Sequence, residues 1–506
     1  MTTKLINISK FLKIKKSIKK KVVLSHGVFD VFHYGHKKHF ESAKKFGDIL
    51  VVSITSDKFV NKGPGRPFFN QNIRSNLIAS LEIVDYVIIN DAETPTNLLK
   101  VIKPNYYVKG PDYSNLNDDI TKNIYREKKM VEKFGGKLVF TSDQKFSSSQ
   151  LINNFLNDHA LSKFIKKKNL SIHELKSRTL KSINNISNLK VAVIGEFIFD
   201  QYVYCDELDR PSKENISAVS LKNQNTFLGG SYAVAKNLSN FVKKIDLFVS
   251  GNFNKDQLNL ISKDKKEIKN LNLKIFKNKY RVITKTRYLN TANRKLFEIY
   301  NYSGNYYNLN YSKLLKSIKK NFSNYDLVIV CDFGHQFFNK KIITEIISSS
   351  KFLSINAQTN AENRGYNLIT KYKYADLICI DEPELRLALS DKNSKIKDLI
   401  KELYKKIKVK KIIVTLGPMG IMVSELINGK INYFSLPAFE KNPIDTMGAG
   451  DAVLAISSAL SAKKSCIYST ATISNLFGAM KTKIKGHEDF IRKNQVLKSL
   501  DNLLNY

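Results

Sequence analysis

The segment GVFDVFHYGH, Gly27–His36, puts two imidazoles three residues apart, His33 and His36, shortly after the apolar run Val22-Val23-Leu24. A helix starting near Tyr34–Gly35 carries both rings on nearly one side of its first turn. It also leaves its first backbone N–H groups free to meet an anion. Gly35 has no side chain to keep a base or phosphate from the backbone. Two imidazoles there can donate hydrogen bonds to oxygens that gain negative charge during phosphoryl transfer. An HxxH pair alone fits surface or core histidines equally well; the strand–turn–helix setting of the whole string makes it specific.

A second turn of this kind lies near the other end, in DTMGAGDAVLAISSAL, Asp445–Leu460. Gly448, Ala449 and Gly450 precede a helix-like run, so their amides form an anion hole. Asp451 stands at the same turn, where a carboxylate can take the proton from a hydroxyl attacking a γ-phosphate. A bare GxGD would also serve as a helix cap.

The elements that must hold these turns are legible as alternating apolar runs and helical patterns. KVVLS, DILVVSIT, VDYVIIN, NYYVKG and KLVFTS are read as strands, with helical spacing at His36–Phe46 and Ile73–Leu81 between them. That alternation predicts βαβ units and a parallel sheet. After residue 150 a polar, lysine-rich stretch without Gly or Pro reads as a helical connection over 156–187. A fresh strand, KVAVIGEFIFD, starts at Lys190, and α and β patterns alternate again to the end, through DLVIVCDFG, DLICIDEPE and KIIVTLGPMG. A chain of 506 residues implies two or three domains.

The formal net charge is +38, from 83 Lys plus Arg against 45 Asp plus Glu. The excess is mostly lysine spread along the chain, a drift in composition rather than a patch, so no nucleic-acid partner is expected. The positive field suits anionic small molecules such as nucleotides. Cys205, Cys331, Cys379 and Cys466 form no CxxC pair, which argues against a zinc site or a disulfide scaffold and for reduced thiols in a cytoplasmic enzyme. The basic N-terminus lacks the apolar core of a signal peptide. No run of about 18 apolar residues occurs, so no membrane span is expected.

GVFDVFHYGH resembles the HxGH signature of the cytidylyltransferase-like nucleotidyltransferases. The similarity continues through AKKFGD, VVSITSD, GRPFFNQNIRSNLIASLEIVD, DAETP, VKGPDY and FSSSQLI over residues 20–155. This order resembles the adenylyltransferase domain of the bifunctional heptose-phosphate enzymes. The resemblance implies that His33 and His36 steady the transition state while a sugar-phosphate oxygen attacks the nucleotide α-phosphate. It further implies nucleotide contacts at Gly27, Phe29, Gly35, Lys45, Arg74, Lys109, Ser147, Ser148 and Ser149. Pro111 replaces the glycine more usual in that motif, stiffening its loop.

The intact DTxGAGD of Asp445–Asp451 resembles the closing signature of the ribokinase-like carbohydrate kinases, over residues 188–500. VIGEFIFD resembles their opening strand, with Asp200 meeting the sugar. GGSYAVAKNL resembles their GG motif, with Gly229 and Gly230 packed on the sugar. VITKTRYL resembles a strand of their small lid sheet. DEPE stands where they carry NxxE, which implies a magnesium-phosphate role for Asp381 and Glu384. LGPMG resembles the segment beside the nucleotide, with Gly417 and Gly420. Three residues depart from the pattern: Glu196 replaces an aspartate, Ala233 an asparagine that contacts sugar hydroxyls, and Asp381 an asparagine. An alanine can neither donate nor accept a side-chain hydrogen bond.

The expected fold is α/β throughout: an N-terminal Rossmann-like HxGH nucleotidyltransferase domain, then a ribokinase-like α/β domain with a small β-sheet lid. The expected function is bifunctional synthesis of a nucleotide-activated sugar. The first domain would transfer a nucleotidyl group from ATP or CTP to a sugar 1-phosphate. The second would phosphorylate a sugar or sugar phosphate with ATP and Mg²⁺. In the best-known heptose enzymes the kinase comes first; here the order is reversed. The resemblance also implies a homodimer. The alternative keeps the transferase and makes the second half a non-catalytic sugar-binding or dimerising module.

Overall fold

The computed structural model describes residues 4–17, 19–111, 123–142, 171–209, 216–292, 294–301, 311–363 and 365–504. These fall into two compact units. One holds the described residues up to 142 together with those from Asn494 on; the other runs to Lys493. The chain's last helix, Lys493–Leu503, thus clusters mainly with the first unit, although the sequence assigns residues up to 500 to the second.

The first unit is built on β1 (Val22–Gly27), β2 (Ile49–Thr55), β3 (Tyr86–Asn90), β4 (Tyr106–Lys109) and β5 (Lys137–Phe140). They form a parallel sheet in the order β3-β2-β1-β4-β5. β1 and β2 are almost wholly buried because helices cover both faces of a parallel sheet. Val22, Leu24 and Val51 belong to one core and Val23, Leu50 and Val52 to the other. The helix Tyr34–Lys44 follows β1. Its His36, His39, Phe40 and Ala43 recur at the spacing of one helical face, and the last three are buried. The strand order reverses between β1 and β4, and a crevice at such a switch point is where α/β sheets take ligands.

The second unit has a large sheet and a small one. The large sheet comprises β6 (Lys190–Gly195), β9 (Lys244–Asn252), β10 (Leu271–Arg281), β13 (Leu327–Asp332), β14 (Leu353–Ala357), β15 (Tyr374–Asp381), β16 (Lys408–Thr415), β17 (Ile421–Ile427) and β18 (Lys430–Leu436). Its order is β10-β9-β6-β13-β14-β15-β16-β17-β18, with the last two strands antiparallel. The small sheet, β12-β11-β7-β8, comprises β7 (Phe197–Glu207), β8 (Val219–Gly230), β11 (Ile283–Leu289) and β12 (Lys295–Asn301). The helix Ala449–Ala462 is rich in Ala and Ser and buried along nearly its whole length, so it lies inside the unit rather than on it. In the stretch read as a connection, the helix Ile172–Asn185 is capped by Ser171 and buries Leu175 and Ile183. Among the described residues no helix is long and apolar enough to cross a membrane.

Candidate active sites

In the first unit the turn after β1 is held tightly. Phe29 and Val31 take left-handed backbone angles, φ +52° and +45°, which non-glycine residues adopt rarely. The Phe29 ring lies against Gly27, where a Cβ would come within 3.0 Å of it. That ring also stands edge-on to His36 and Phe40, with centroids at 5.4 and 5.0 Å. The Phe29 ring is therefore a buried wedge that seats His36.

His33 caps the helix Tyr34–Lys44 and His36 occupies its third position, with Gly35 between them in the first turn. The His33 backbone N–H donates to His36 Nδ1 at 3.4 Å. The two rings stack at 3.9 Å with planes 14° apart. Burial, then the positive charge of Lys62, lowers the His33 pKa. Burial, with His33, Lys62 and His39 adding to it, brings His36 down to about 2. Both rings are neutral in a positive, partly dry setting that negative charge would relieve.

Three other residues named from the sequence have partners or places of their own. Arg74 does not face the crevice: its guanidinium donates to the carbonyls of Phe69, Val28 and Thr55 and pairs with Asp57 at 2.6 Å. It ties two loops to the end of β2 and is 2% exposed. Lys45 caps the far end of an 11-residue helix, so by helical rise it stands roughly 15 Å from the imidazoles. The lysine whose charge reaches both rings is Lys62, in the loop after β2. A Gly/Pro-rich loop, KGPGRP, at the carboxyl end of the neighbouring strand was the signal for it. Lys109, at the end of β4, pairs with Glu127 at 3.2 Å, and its charge helps lower His26 beneath the turn. Ser147, Ser148 and Ser149 lie outside the described residues.

In the second unit the glycine turn opens the helix Ala449–Ala462. Gly448 is left-handed, φ +73°, and caps it. On one side the turn is filled: a Cβ at 448 would meet His487 Cε1 at 2.6 Å and Lys481 Cε at 3.3 Å. At Gly450 nothing lies within 4 Å, and that side is open. Asp445 shapes the turn by accepting from the N–H groups of Met447 and Gly486. Asp451 is 7% exposed, and Gln358 Nε2 donates to it at 3.2 Å. Burial raises its pKa and Asp200 adds to the rise, while His487 and Lys481 oppose it.

Asp200, on β7, accepts from Arg287 Nη1 at 2.5 Å and lies 3.6 Å from His487 Nε2. Burial alone would raise its pKa, but His487 and Arg287 hold it at about 2. Gly229, its neighbour on β8, leaves the space its carboxylate fills, for a Cβ there would lie 2.0 Å from Oδ2. Gly230 caps the next helix, in which Ala233 is buried. Glu196 accepts from the N–H groups of Phe333 and His335, so it fastens the turn after β13. Of the LGPMG glycines, Gly417 is open, whereas Gly420 is packed against Leu436.

Asp381 and Glu384 cap each other: Asp381 Oδ1 accepts from Glu384 N at 2.7 Å and Glu384 Oε2 from Asp381 N at 2.9 Å. Burial, then the neighbouring Asp381 and Asp451 carboxylates, pushes Glu384 up to about 8. Among the described residues no group of three side chains is arranged to chelate a metal ion. The uncompensated acidity at Glu384 nevertheless suits a cation held with the nucleotide. Lys285 and Arg287 escaped the sequence reading. They lie two apart on the buried face of β11, between Ile283 and Leu289, an alternation visible in VITKTRYL.

A cytidylyltransferase-like family model matches residues 24–154, and the pfkB family carbohydrate kinase model matches residues 188–481. Bifunctional protein HldE of Aliarcobacter butzleri is 40% identical over 137 residues, 27% of this chain and 29% of that protein. HldE of Campylobacter fetus is 40% identical over 136 residues, 26% and 29% of the two chains. These matches fall in the N-terminal part and span less than a third of the relatives' length. Phosphofructokinase-2 from Escherichia coli, crystallised with potassium, shares the fold with a TM-score of 0.51 at 12% identity, over 62% of this chain and 99% of that one. The kinase model spans more than half of the sequence, so the chain belongs to the pfkB family of carbohydrate kinases, with a cytidylyltransferase-like domain ahead of its kinase domain.

Proposed function

We propose that this chain makes a nucleotide-activated sugar in two separate active sites. The observation that carries the reading is that each unit offers helix N-terminal amides beside the group its chemistry needs: stacked neutral imidazoles in one, a buried carboxylate in the other.

In the first site a sugar 1-phosphate oxygen attacks the α-phosphorus of ATP or CTP. The bond to the β-phosphate breaks and pyrophosphate leaves. The amides at the start of the helix Tyr34–Lys44 and the N–H groups of His33 and His36 meet the growing negative charge. Lys62 neutralises phosphate oxygens. Gly27 leaves room for the Phe29 wedge, and Gly35 lets the nucleotide approach. Arg74 and Phe29 position the turn without touching substrate.

In the second site Asp451 accepts the proton of a sugar hydroxyl as that oxygen attacks the γ-phosphorus of ATP, and ADP leaves. Gly448, Ala449 and Gly450 receive the phosphoryl oxygens, and Asp200 orients the sugar. Mg²⁺, when bound with the nucleotide, offsets phosphate charge. Glu384 and Asp381 would hold it at the end of β15. The protein acts in the cytoplasm on small molecules, as a homodimer. The exposed Phe297 and Ile299, two apart on β12, support pairing through the small sheet.

The test is a panel of nucleoside triphosphates against sugar phosphates, following pyrophosphate release, with ADP formation from sugars and ATP measured in parallel. The reading requires both products, from different substrate pairs. One observation favours the alternative of a non-catalytic second half: Asp200 is already paired with Arg287 and His487. ADP formation lost in Asp451→Asn would remove that alternative.

A further inference from the structure

His487 lies beyond the residues matched by the kinase family model, in the turn KGHED that follows the helix Ile467–Lys481. Two parts of the kinase site meet at its ring. Cε1 rests against Gly448, where a Cβ would be 2.6 Å away. Nε2 is 3.6 Å from Asp200 Oδ2. The residue is 6% exposed.

The backbone on its N-terminal side is fixed to the same turn. Gly486 N–H donates to Asp445 at 2.8 Å, and the Gly486 carbonyl accepts from the buried Lys481 ammonium. Ile444 and Asp445 N–H groups donate to the Thr482 carbonyl. A glycine at 448 is what lets an imidazole come this close to the phosphate turn.

Building on the kinase reading above, we propose that His487 belongs to the phosphoryl-transfer pocket, where it donates a hydrogen bond to the transferred phosphoryl group from the acceptor side. In phosphoryl transfer the charge spreads over three equatorial oxygens. The glycine-turn amides reach these oxygens from the nucleotide side. Asp200 marks where the acceptor sits, and Asp451 where its proton goes. The imidazole borders the glycine turn and Asp200, so its N–H serves an oxygen the amides leave uncovered. A partner used only to brace Asp200 would not need to touch Gly448.

The test uses the full chain and a phosphoryl stand-in, comparing equilibrium binding of MgADP alone and with aluminium fluoride. Fluoride complexation should tighten MgADP in the wild type, and Asp451→Asn identifies the part of that signal belonging to the kinase pocket. In His487→Ala we expect at least a tenfold loss of the tightening, with MgADP alone bound within about twofold of wild type. His487→Gln, which keeps an N–H near Nε2, should recover most of it. If the alanine variant does not fold, His487→Asn carries the comparison. Equal tightening in wild type and the Ala or Asn variant overturns this proposal alone. No tightening in the wild type removes the kinase reading and the proposal with it.

Discussion

The rings of His33 and His36 lie face to face, 3.9 Å between centroids, at the N-terminus of one helix. Two cations could not stack so closely in a partly buried site, so the pair is neutral until an anion arrives. That fixes how the site is loaded: the triphosphate meets the one N–H that each neutral imidazole carries, with Lys62 as the standing cation.

The first prediction concerns this loading. His36→Ala and Lys62→Met should each lower pyrophosphate release by about 10²-fold or more, the usual effect of removing one oxyanion donor. ADP formation in the kinase half should stay within about twofold of wild type. Lys45→Met, at the far end of the helix, should leave both activities unchanged. A loss in Lys45→Met equal to that in Lys62→Met would refute the assignment.

A pH prediction follows from the same burial. His26, His33 and His36 have folded pKa values below the unfolded value near 6.5. The unfolded chain therefore binds more protons than the folded one below that pH. Their contribution is fully present above about pH 6.5 and is lost as pH falls toward the folded values, about 2 for His36. Each group changes stability by at most about 1.4 kcal/mol per pH unit. Thermal unfolding at pH 7.5, 6 and 5 should show a falling midpoint, with a shallower fall in His36→Gln. A steeper fall in that variant would contradict the sign.

What the sequence made legible divides along physical lines. The two turns could be read because a glycine, a helix start and a reactive side chain are local in the chain. Lys45 stands away from the imidazoles, and the sequence contains the reason: twelve residues past His33 is more than three helical turns away. The setting of Arg74 has no local signal, since its carbonyl partners come from two separate loops and the end of β2. His487, Lys285 and Arg287 reach the kinase site only through tertiary packing, such as the parallel pairing of β7 with β11. No local pattern reports such pairing.

Glu384 gives a prediction in which stability and activity separate. Its carboxylate is buried beside Asp381 and Asp451, so ionising it costs free energy in the empty site. Glu384→Gln keeps an acceptor for the Asp381 N–H and removes the charge. The variant should be as stable as wild type or more so, while ADP formation falls about 10²-fold because magnesium is held less well. Chemical denaturation and a magnesium titration of the kinase rate check the two halves. A destabilised variant with normal magnesium dependence would make Glu384 a cap and nothing more.

In the kinase site a Cβ at Gly229 would stand 2.0 Å from Asp200 Oδ2. Gly229→Ala must therefore push the carboxylate off His487 or move β8 away from β7, the strand it pairs with. Asp200 is buried and held near pKa 2 by His487 and Arg287, so displacing it leaves the Arg287 guanidinium less well neutralised. If Asp200 orients the acceptor, the sugar KM should rise about tenfold or more with the ATP KM nearly unchanged. If Asp200 serves only to hold Arg287, both constants should stay put and only the unfolding midpoint should drop. Asp200→Asn, which keeps the shape and removes the charge, separates the two cases: it should reproduce the sugar KM defect of Gly229→Ala without needing any movement of β8.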